Sequence, residues 1–260
     1  MKLRFTAGPV LGIGTLALLL ALGACVTTPR TVLTTADDNS ECVVLLHGLN
    51  RSWRSMRPMA KALNDAGFTT VNVDYPSQSG SVEHLALLAV DNGLLQCRDS
   101  GANRIHFVTH SIGGILLRFA HQQSPIPDLG RVVMLAPPNH GSEMIDQTRD
   151  WLGTELIVGE AGLQLGTDVG SVPSQLGPVD FELGVVSGTG TTNPLFSVLL
   201  PQPNDGKVSV ASTRVTGMDD FLVVDISHRY IMANKVVIEN TQSFLQTGAF
   251  IDRNEPADHR

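Results

Sequence analysis

Ser111 stands where an apolar run meets a helical pattern. The run leads into Thr-His-Ser-Ile-Gly-Gly (109–114), and helical spacing begins at once. This layout is typical of a nucleophile elbow, G-x-S-x-G, with Thr109 in place of the first glycine. The tight turn strains the serine backbone and needs small neighbours, which Gly113 and Gly114 supply. The segment predicts a nucleophilic Ser111, and the alternative is a serine at an ordinary helix N-cap.

A serine hydroxyl is a weak nucleophile and needs a neighbouring base. The histidines after Ser111 are His121, His140, His228 and His259. His121 falls in the helix after the elbow, pointing away from its start, and His259 falls in the tail. His140 precedes every candidate acid after the fifth predicted strand. His228 closely follows the sixth, where the chain order serine, acid, histidine puts the base. We therefore predict His228 as the base, with a solvated loop histidine as the alternative.

The acid that orients this base should follow the fifth predicted strand. Asp205 lies there, in an Asn-Asp-Gly turn ahead of an apolar alternation. Its carboxylate would hold the imidazole tautomer and stabilise the imidazolium. The alternative is a plain Asp-Gly turn. These grounds leave three alternative acids, Asp219, Asp220 and Asp225. Asp225 would have to reach His228 around a tight loop.

An oxyanion hole needs two backbone N–H groups aimed at the developing charge. One is expected from Ile112, the residue after the nucleophile. The other is expected from Leu49, in the loop opened by His47-Gly48 after the first strand. The alternative for His47-Gly48 is a simple turn that ends a strand.

The pattern of elements indicates an α/β fold that brings these residues together. Six apolar runs are predicted as strands: 42–46, 70–75, 105–110, 132–136, 182–187 and 221–225. Helical patterns alternate with them, which predicts a mostly parallel sheet with helices on both faces. In such sheets the chemistry lies at the carboxyl ends of the strands, where all the candidate residues fall. The glycine-rich segment 142–180 is predicted to be a cap-like excursion over the sheet.

Length and charge narrow the function classes. The chain has 260 residues and a net charge of −7. One domain is expected at this length, over residues 42–250, followed by a polar tail over 251–260. There is no basic stripe, which argues against a nucleic-acid partner.

The N-terminus carries the features of an export signal. Lys2 and Arg4 precede an apolar region over 10–22, which is short for a membrane span. Leu-Gly-Ala then precedes Cys25, a pattern that looks like a bacterial lipobox. We predict a signal peptide over 1–24, a lipid on Cys25 that anchors the protein to the membrane, and a flexible tether over 25–41. The location would be the cell envelope, and the outer membrane if the source is Gram-negative. The alternative is an ordinary signal peptide with an incidental cysteine.

These motifs together resemble the α/β-hydrolase superfamily, in particular small bacterial lipases and esterases. The resemblance rests on 44–48, 109–114, Asp205-Gly206 and Ser227-His228, and it covers about 42–248. It implies Ser111 as nucleophile, Asp205 as acid and His228 as base, and it is also the source of the expectation that the acid follows the fifth predicted strand. It also implies a small-molecule acyl ester or lipid as substrate, without a metal or cofactor and with no protein partner indicated. Six strands are fewer than the usual eight, although minimal members lack the first two.

Two cysteines remain after Cys25. An even number in an exported protein suggests a disulfide between Cys42 and Cys97, and the alternative is two buried thiols. The superfamily topology places the first strand beside the elbow strand. Since Cys42 starts one and Cys97 precedes the other at the same edge, the resemblance favours the bridge.

The superfamily hosts many reactions, so other functions stay open. A thioesterase, an amidase or an acyltransferase would use the same three residues. A non-catalytic envelope lipoprotein on a hydrolase scaffold is the alternative of a different class.

Overall fold

A computed structural model describes residues 30–36, 40–192 and 194–251. The predicted signal peptide, the candidate lipidation site Cys25 and most of the polar tail lie outside these residues. Within the described part of the chain, no helix has both the length and the apolar character needed to cross a membrane.

One seven-stranded sheet organises the described chain, in the order β1-β3-β2-β4-β5-β6-β7. Its strands are β1 Arg30–Thr34, β2 Glu41–Leu46, β3 Thr69–Asp74, β4 Arg104–His110, β5 Leu129–Leu135, β6 Leu183–Gly190 and β7 Asp220–Ser227. All neighbours pair in parallel except β1, which runs antiparallel to β3. The predicted α/β architecture is therefore confirmed, with one more strand than expected.

Helices cover both faces of this sheet. They are α1 Arg57–Asp65, α2 Val82–Asp99, α3 Ile112–Gln123, α4 Glu143–Thr148, α5 Thr154–Leu163, α6 Val172–Gln175, α7 Pro194–Ser197, α8 Val210–Thr213 and α9 Lys235–Thr247. Strand residues alternate between the faces, so β2 shows which helices pack where. Val44 and Leu46 join the apolar cluster with α2 and α3. Val43 and Leu45 join the cluster with α1 and α9. Both faces are covered, which explains the continuous apolar runs of the central strands.

The prediction of a flexible tether over 25–41 is wrong for part of that range. Residues 30–34 form β1, whose Arg30 pairs with Asp74 and whose Thr34 pairs with Thr70 of β3. The segment Arg-Thr-Val-Leu-Thr is rich in β-branched residues, and an edge strand tolerates this mixed, half-exposed composition. Glu41, the last residue of the predicted tether, begins β2.

A disulfide joins Cys42 of β2 to Cys97 of α2, with the Cα atoms 5.7 Å apart. Both cysteines are fully buried. Cys42 lies near the start of β2, so the bridge ties the helix to the sheet at the end away from the strand carboxyl termini.

The segment 142–180 leaves the sheet between β5 and β6, where the excursion was expected. It contains the short helices α4, α5 and α6. Gly159, inside α5, has a φ of 66°, and its backbone packs against Gln78 so closely that a Cβ would lie 2.2 Å from the Gln78 carbonyl oxygen. Glycine is needed there for both reasons.

Candidate active site

Ser111 occupies the sharp turn between β4 and α3. Its φ is 56° and its ψ is −124°, a conformation that side-chain-bearing residues rarely adopt. The turn is held by the hydrogen bond from the Ser111 N–H to the Leu135 carbonyl oxygen, 2.9 Å, and by that from Gly114 N–H to the Ser111 carbonyl oxygen, 3.0 Å. This is the backbone geometry of the predicted elbow.

Small residues after Ser111 let α3 start close against the sheet. A Cβ on Gly113 would lie 2.9 Å from the carbonyl oxygen of Leu46, and one on Gly114 would lie 3.1 Å from the Met134 sulfur. Larger side chains would therefore push α3 outward. Within the described chain the hydroxyl of Ser111 has no hydrogen-bond partner, which leaves it available to an incoming group.

His228 and Asp205 are paired beside the elbow. His228 Nδ1 lies 2.7 Å from Asp205 Oδ2, so Nδ1–H donates to the carboxylate and Nε2 is left to accept a proton. His228 is 6% exposed and Asp205 is 2% exposed, and this shielding from water strengthens the contact. The loop after β7 supplies the histidine, and the loop between α7 and α8 supplies the acid.

Local backbone contacts hold Asp205 in place. Its second oxygen, Oδ1, accepts hydrogen bonds from the N–H groups of Lys207 and Val208, at 2.9 and 2.8 Å. Gly206, which directly follows Asp205, has a φ of 87°, a conformation that favours glycine. The Asp205 carbonyl oxygen also accepts from the His228 N–H at 3.1 Å. The Asp-Gly turn is therefore present in the structure, and its N–H groups orient the Asp205 carboxylate.

The rival acids have other partners. Asp219 Oδ2 accepts from the Leu183 N–H, 2.8 Å. The two oxygens of Asp220 accept from the N–H groups of Phe221 and Phe250. Asp225 is exposed, with Thr189 Oγ1 3.4 Å away. The structure therefore brings Asp205, and none of these three, to His228.

The other histidines after the elbow lie elsewhere. His121 Nε2 lies 3.1 Å from Asp180 Oδ1, near the C-terminal end of α3. His140 is exposed, and it is absent from the lining of the cavity that holds Ser111. His259 is outside the described residues. The choice of His228 agrees with this placement.

The loop after β2 positions Leu49 near the elbow. The His47 side chain holds this loop by two hydrogen bonds. Its Nε2 accepts from the Tyr75 N–H at 3.3 Å, and its Nδ1–H donates to the Gly48 carbonyl oxygen at 2.9 Å. Burial lowers the pKa of His47, which keeps the ring in the neutral form that this pattern needs. Its ring stacks on that of Tyr75, 4.1 Å between centroids.

Two backbone N–H groups are available at this edge. Among the described residues, the amides of Leu49 and Ile112 make no hydrogen bond inside the protein. Leu49 lines the cavity next to Ser111, and Ile112 is the first residue of α3. Donors of this kind are what an oxyanion requires.

His110 is a residue of this site that the sequence did not single out. It is 1% exposed, and its Nε2 lies 3.1 Å from the His228 carbonyl oxygen. Its ring centroid lies 4.8 Å from that of His228. Burial, and after it the electrostatic effect of the neighbouring His228, lowers the pKa of His110 well below its ordinary value, so its Nε2–H donates as a neutral ring. The position before the nucleophile was the one signal that could have marked it.

A cavity of about 530 Å³ opens at this edge of the sheet. Ser111, His228 and Asp205 all line it. Its apolar wall comes from the segment 142–180 and consists of Met144, Ile145, Trp151, Ile157, Val158 and Leu165. The site therefore combines a serine, a paired histidine and acid, two free amides and an apolar surface, as acyl transfer to a serine requires. No set of three or more His, Cys, Asp or Glu side chains in the described chain could hold a metal ion.

The chain is similar in sequence to a known protein family. The family model described as the alpha/beta hydrolase family matches residues 43–225. This range contains Ser111 and Asp205 and ends just before His228. No curated protein sequence matches the chain.

Solved structures of lipases and esterases share the fold. The mature form of the Bacillus licheniformis lipase BlEst2 superposes with a TM-score of 0.69 at 18% identity, covering 85% of this chain and 98% of that one. The Pyrococcus furiosus esterase Pf2001 gives 0.56 at 17% identity, covering 84% and 92%. A structure reported for the metagenome-derived lipolytic enzymes LipS and LipT gives 0.58 at 14% identity, covering 85% and 98%.

Proposed function

Since this chain belongs to the alpha/beta hydrolase family, we propose that it cleaves carboxylic esters with Ser111 as nucleophile, His228 as base and Asp205 as acid. The observation that carries the proposal is the 2.7 Å contact between His228 Nδ1 and Asp205 Oδ2 beside a strained Ser111. A purely structural histidine has no need of a buried carboxylate at this place, whereas an activated serine does.

The reaction follows from the positions of these atoms. Ser111 Oγ attacks the acyl carbonyl while His228 Nε2 takes its proton, and Asp205 stabilises the imidazolium. His228 then gives the proton to the leaving alcohol, which leaves an acyl ester on Ser111. A water molecule, deprotonated by His228, hydrolyses this ester and restores the hydroxyl. The proton transfers require His228 Nε2 to come within hydrogen-bond reach of Oγ, and such contacts often tighten only when substrate binds.

The free amides of Leu49 and Ile112 are assigned to the oxyanion in both tetrahedral steps. One such donor is typically worth a factor of about 10² to 10³ in kcat. The apolar wall from 142–180 is assigned to the acyl chain, with the excursion acting as a lid. Deletion of 150–158 tests this role, and activity on long and short acyl chains that stays equal to that of the native chain would contradict it.

The test is hydrolysis of p-nitrophenyl esters from short to long acyl chains, beside labelling by a fluorophosphonate probe. We expect hydrolysis and labelling by the native chain, and neither by Ser111→Ala. Labelling without hydrolysis across the series would instead support an acyltransferase, a thioesterase or an amidase using the same residues. The absence of both would leave a non-catalytic protein on a hydrolase scaffold.

We also propose that Cys25 carries a lipid that anchors the protein to the cell envelope. The support is the order of basic residues, apolar region and Leu-Gly-Ala-Cys at the N-terminus. Metabolic labelling with a clickable fatty acid tests it. We expect incorporation in the native chain and none in Cys25→Ser, which should fractionate away from membranes. Equal incorporation in both would contradict the anchor.

A further inference from the structure

Three cations line the cavity that holds Ser111. They are Arg51, Lys207 and Arg229. Each lies next to a residue already assigned a role, because Arg51 follows the Leu49 loop, Lys207 follows Asp205, and Arg229 directly follows His228. Every loop that builds the site, apart from the elbow itself, therefore also contributes one positive charge to its rim.

These cations form no direct ion pair within the described residues, and the one carboxylate that acts on any of them is Asp205, which raises the pKa of Lys207 against the larger effects that lower it. None of the ion pairs in the described chain includes Arg51, Lys207 or Arg229. The single carboxylate of the cavity lining within the described residues is Asp205. Its oxygens are already engaged by His228 and by two backbone N–H groups. The rim thus carries an unneutralised positive charge on a chain whose net charge is −7.

The cations also act on one another. Partial burial, and after it the charge of Arg229, lowers the pKa of Arg51. Partial desolvation, and after it the charge of Arg51, lowers the pKa of Lys207. Like charges held together at a cavity are unfavourable until an anion neutralises them. Guanidinium and ammonium groups are also the side chains that best bind phosphate oxygens.

The part of the cavity lining that comes from 142–180 has a different character. It is apolar, with Trp151, Ile157 and Val158 among its residues. A ligand that satisfies both walls must have a hydrocarbon part and an anionic part. His228 has to reach the leaving alcohol, and Arg229 is its neighbour in the chain.

We propose that Arg51, Lys207 and Arg229 form an anion subsite, and that the substrate is an acyl ester whose alcohol carries a phosphate. This inference rests on the proposed function and names its substrate class. The acyl chain lies against the apolar wall, and the phosphate lies at the cationic rim. Recognition of the phosphate is assigned to these three side chains.

The first test compares two substrates that differ only in the phosphate, monolauroylglycerol and monolauroylglycerol phosphate. We expect the native chain to favour the phosphate in kcat/KM by tenfold or more. Arg51→Gln, Lys207→Gln and Arg229→Gln should each lower the ratio of the two kcat/KM values by about tenfold, because each removes a charge-assisted contact. Lys235→Gln is the matched control, since Lys235 pairs with Glu239 on α9 outside the cavity lining. Its ratio should stay native. A native ratio near one, or a ratio unchanged in all three variants, would overturn the subsite.

The second test does not depend on turnover. Binding of dodecyl phosphate, below its micelle concentration, is measured by calorimetry on the full chain. We expect the Kd to rise about tenfold in each of the three variants and to stay native in Lys235→Gln. Dodecyltrimethylammonium, with the same chain and opposite charge, should bind at least tenfold more weakly. The subsite is overturned if dodecyl phosphate does not bind, or if its Kd is the same in all three variants as in the native chain. Binding that weakens when Arg51, Lys207 or Arg229 is changed, in a protein that neither hydrolyses esters nor reacts with the probe, supports the subsite and refutes the proposed function.

Discussion

His110 Nε2 lies 3.1 Å from the carbonyl oxygen of His228, although 118 positions separate the two residues in the chain. His110 is the residue before the elbow serine, and His228 is the assigned base. One hydrogen bond between a neutral ring and a backbone carbonyl therefore ties the elbow strand to the loop of the base. The ring contact between the two histidines, 4.8 Å between centroids, adds packing to this tie.

Buried neutral histidines make the fold sensitive to acid. Burial lowers the pKa of His110 well below its ordinary value, and it also lowers the pKa of His47 and of His106. The unfolded chain binds these protons once the pH falls below about 6.5 while the folded chain does not, so the free energy of unfolding falls from there downward. We expect His110→Gln to weaken this dependence by up to about 1.4 kcal/mol per pH unit.

Urea unfolding at a series of pH values between neutral and mildly acidic checks this expectation. Ile115→Val is the matched control, since it trims a fully buried side chain that does not titrate. That change should lower the free energy of unfolding by about 0.5–1.5 kcal/mol equally at each pH. The expectation would be contradicted if the free energy of unfolding of His110→Gln depended on pH as strongly as that of the native chain. His110 would then bind a proton as readily in the folded chain as in the unfolded chain.

The acid is tested against Asp225, one of the three alternative acids in the sequence. Asp205→Asn puts an amide where His228 Nδ1 now donates, which favours the wrong imidazole tautomer. We expect kcat on p-nitrophenyl esters to fall by about 10³- to 10⁴-fold. Asp225→Asn, which changes an exposed carboxylate near the same histidine in sequence, should stay within a fewfold of the native rate. The reverse order of effects would move the acid to Asp225.

Gly48 is expected to tolerate no side chain. A Cβ there would lie 2.6 Å from His110 Nδ1 and 3.2 Å from Ser111 Cβ. Gly48→Ala must therefore displace the Leu49 loop or the elbow, and a displacement of even 1 Å at a reacting centre costs about 10²-fold in rate. Gly177→Ala is the control, because no atom lies within 4 Å of the corresponding Cβ. Steady-state rates that are equal for the two variants would refute the role given to this close approach.

The disulfide should matter for stability and little for chemistry. Cys42 and Cys97 are 55 positions apart, and closing a loop of that length contributes about 4 kcal/mol in the chain-entropy model. Urea unfolding of the native chain with and without reductant, and of the double change to alanine, measures this contribution. Native kcat in the absence of urea is expected throughout, since the bridge lies at the opposite end of the sheet. Unfolding curves that coincide with and without reductant would contradict it.

The residues of the site could be predicted because strand order fixes where they meet. Ser111, Asp205 and His228 each follow a strand or precede a short apolar segment, and parallel strands bring their carboxyl ends to one edge. The choice of Asp205 over Asp225 came from the family resemblance. The physical reason is visible only in three dimensions, where two N–H groups of the same turn hold its carboxylate.

Other features could not be predicted from patterns along the chain. The strand β1 has no strong alternation of its own, and its pairing with β3 is a long-range event. The role of His110 depends on a carbonyl 118 positions away. The cations Arg51, Lys207 and Arg229 are far apart in the sequence. Neither the net charge nor the local composition therefore indicates that they line the same cavity.

Fluorophosphonate labelling followed by peptide mass spectrometry determines whether Ser111 is an activated nucleophile. We expect one modified residue, Ser111, with labelling abolished in Ser111→Ala and slowed by about 10³-fold or more in His228→Ala, because the hydroxyl then has no base. Labelling at another serine, or labelling of Ser111 at the native rate without His228, would contradict it.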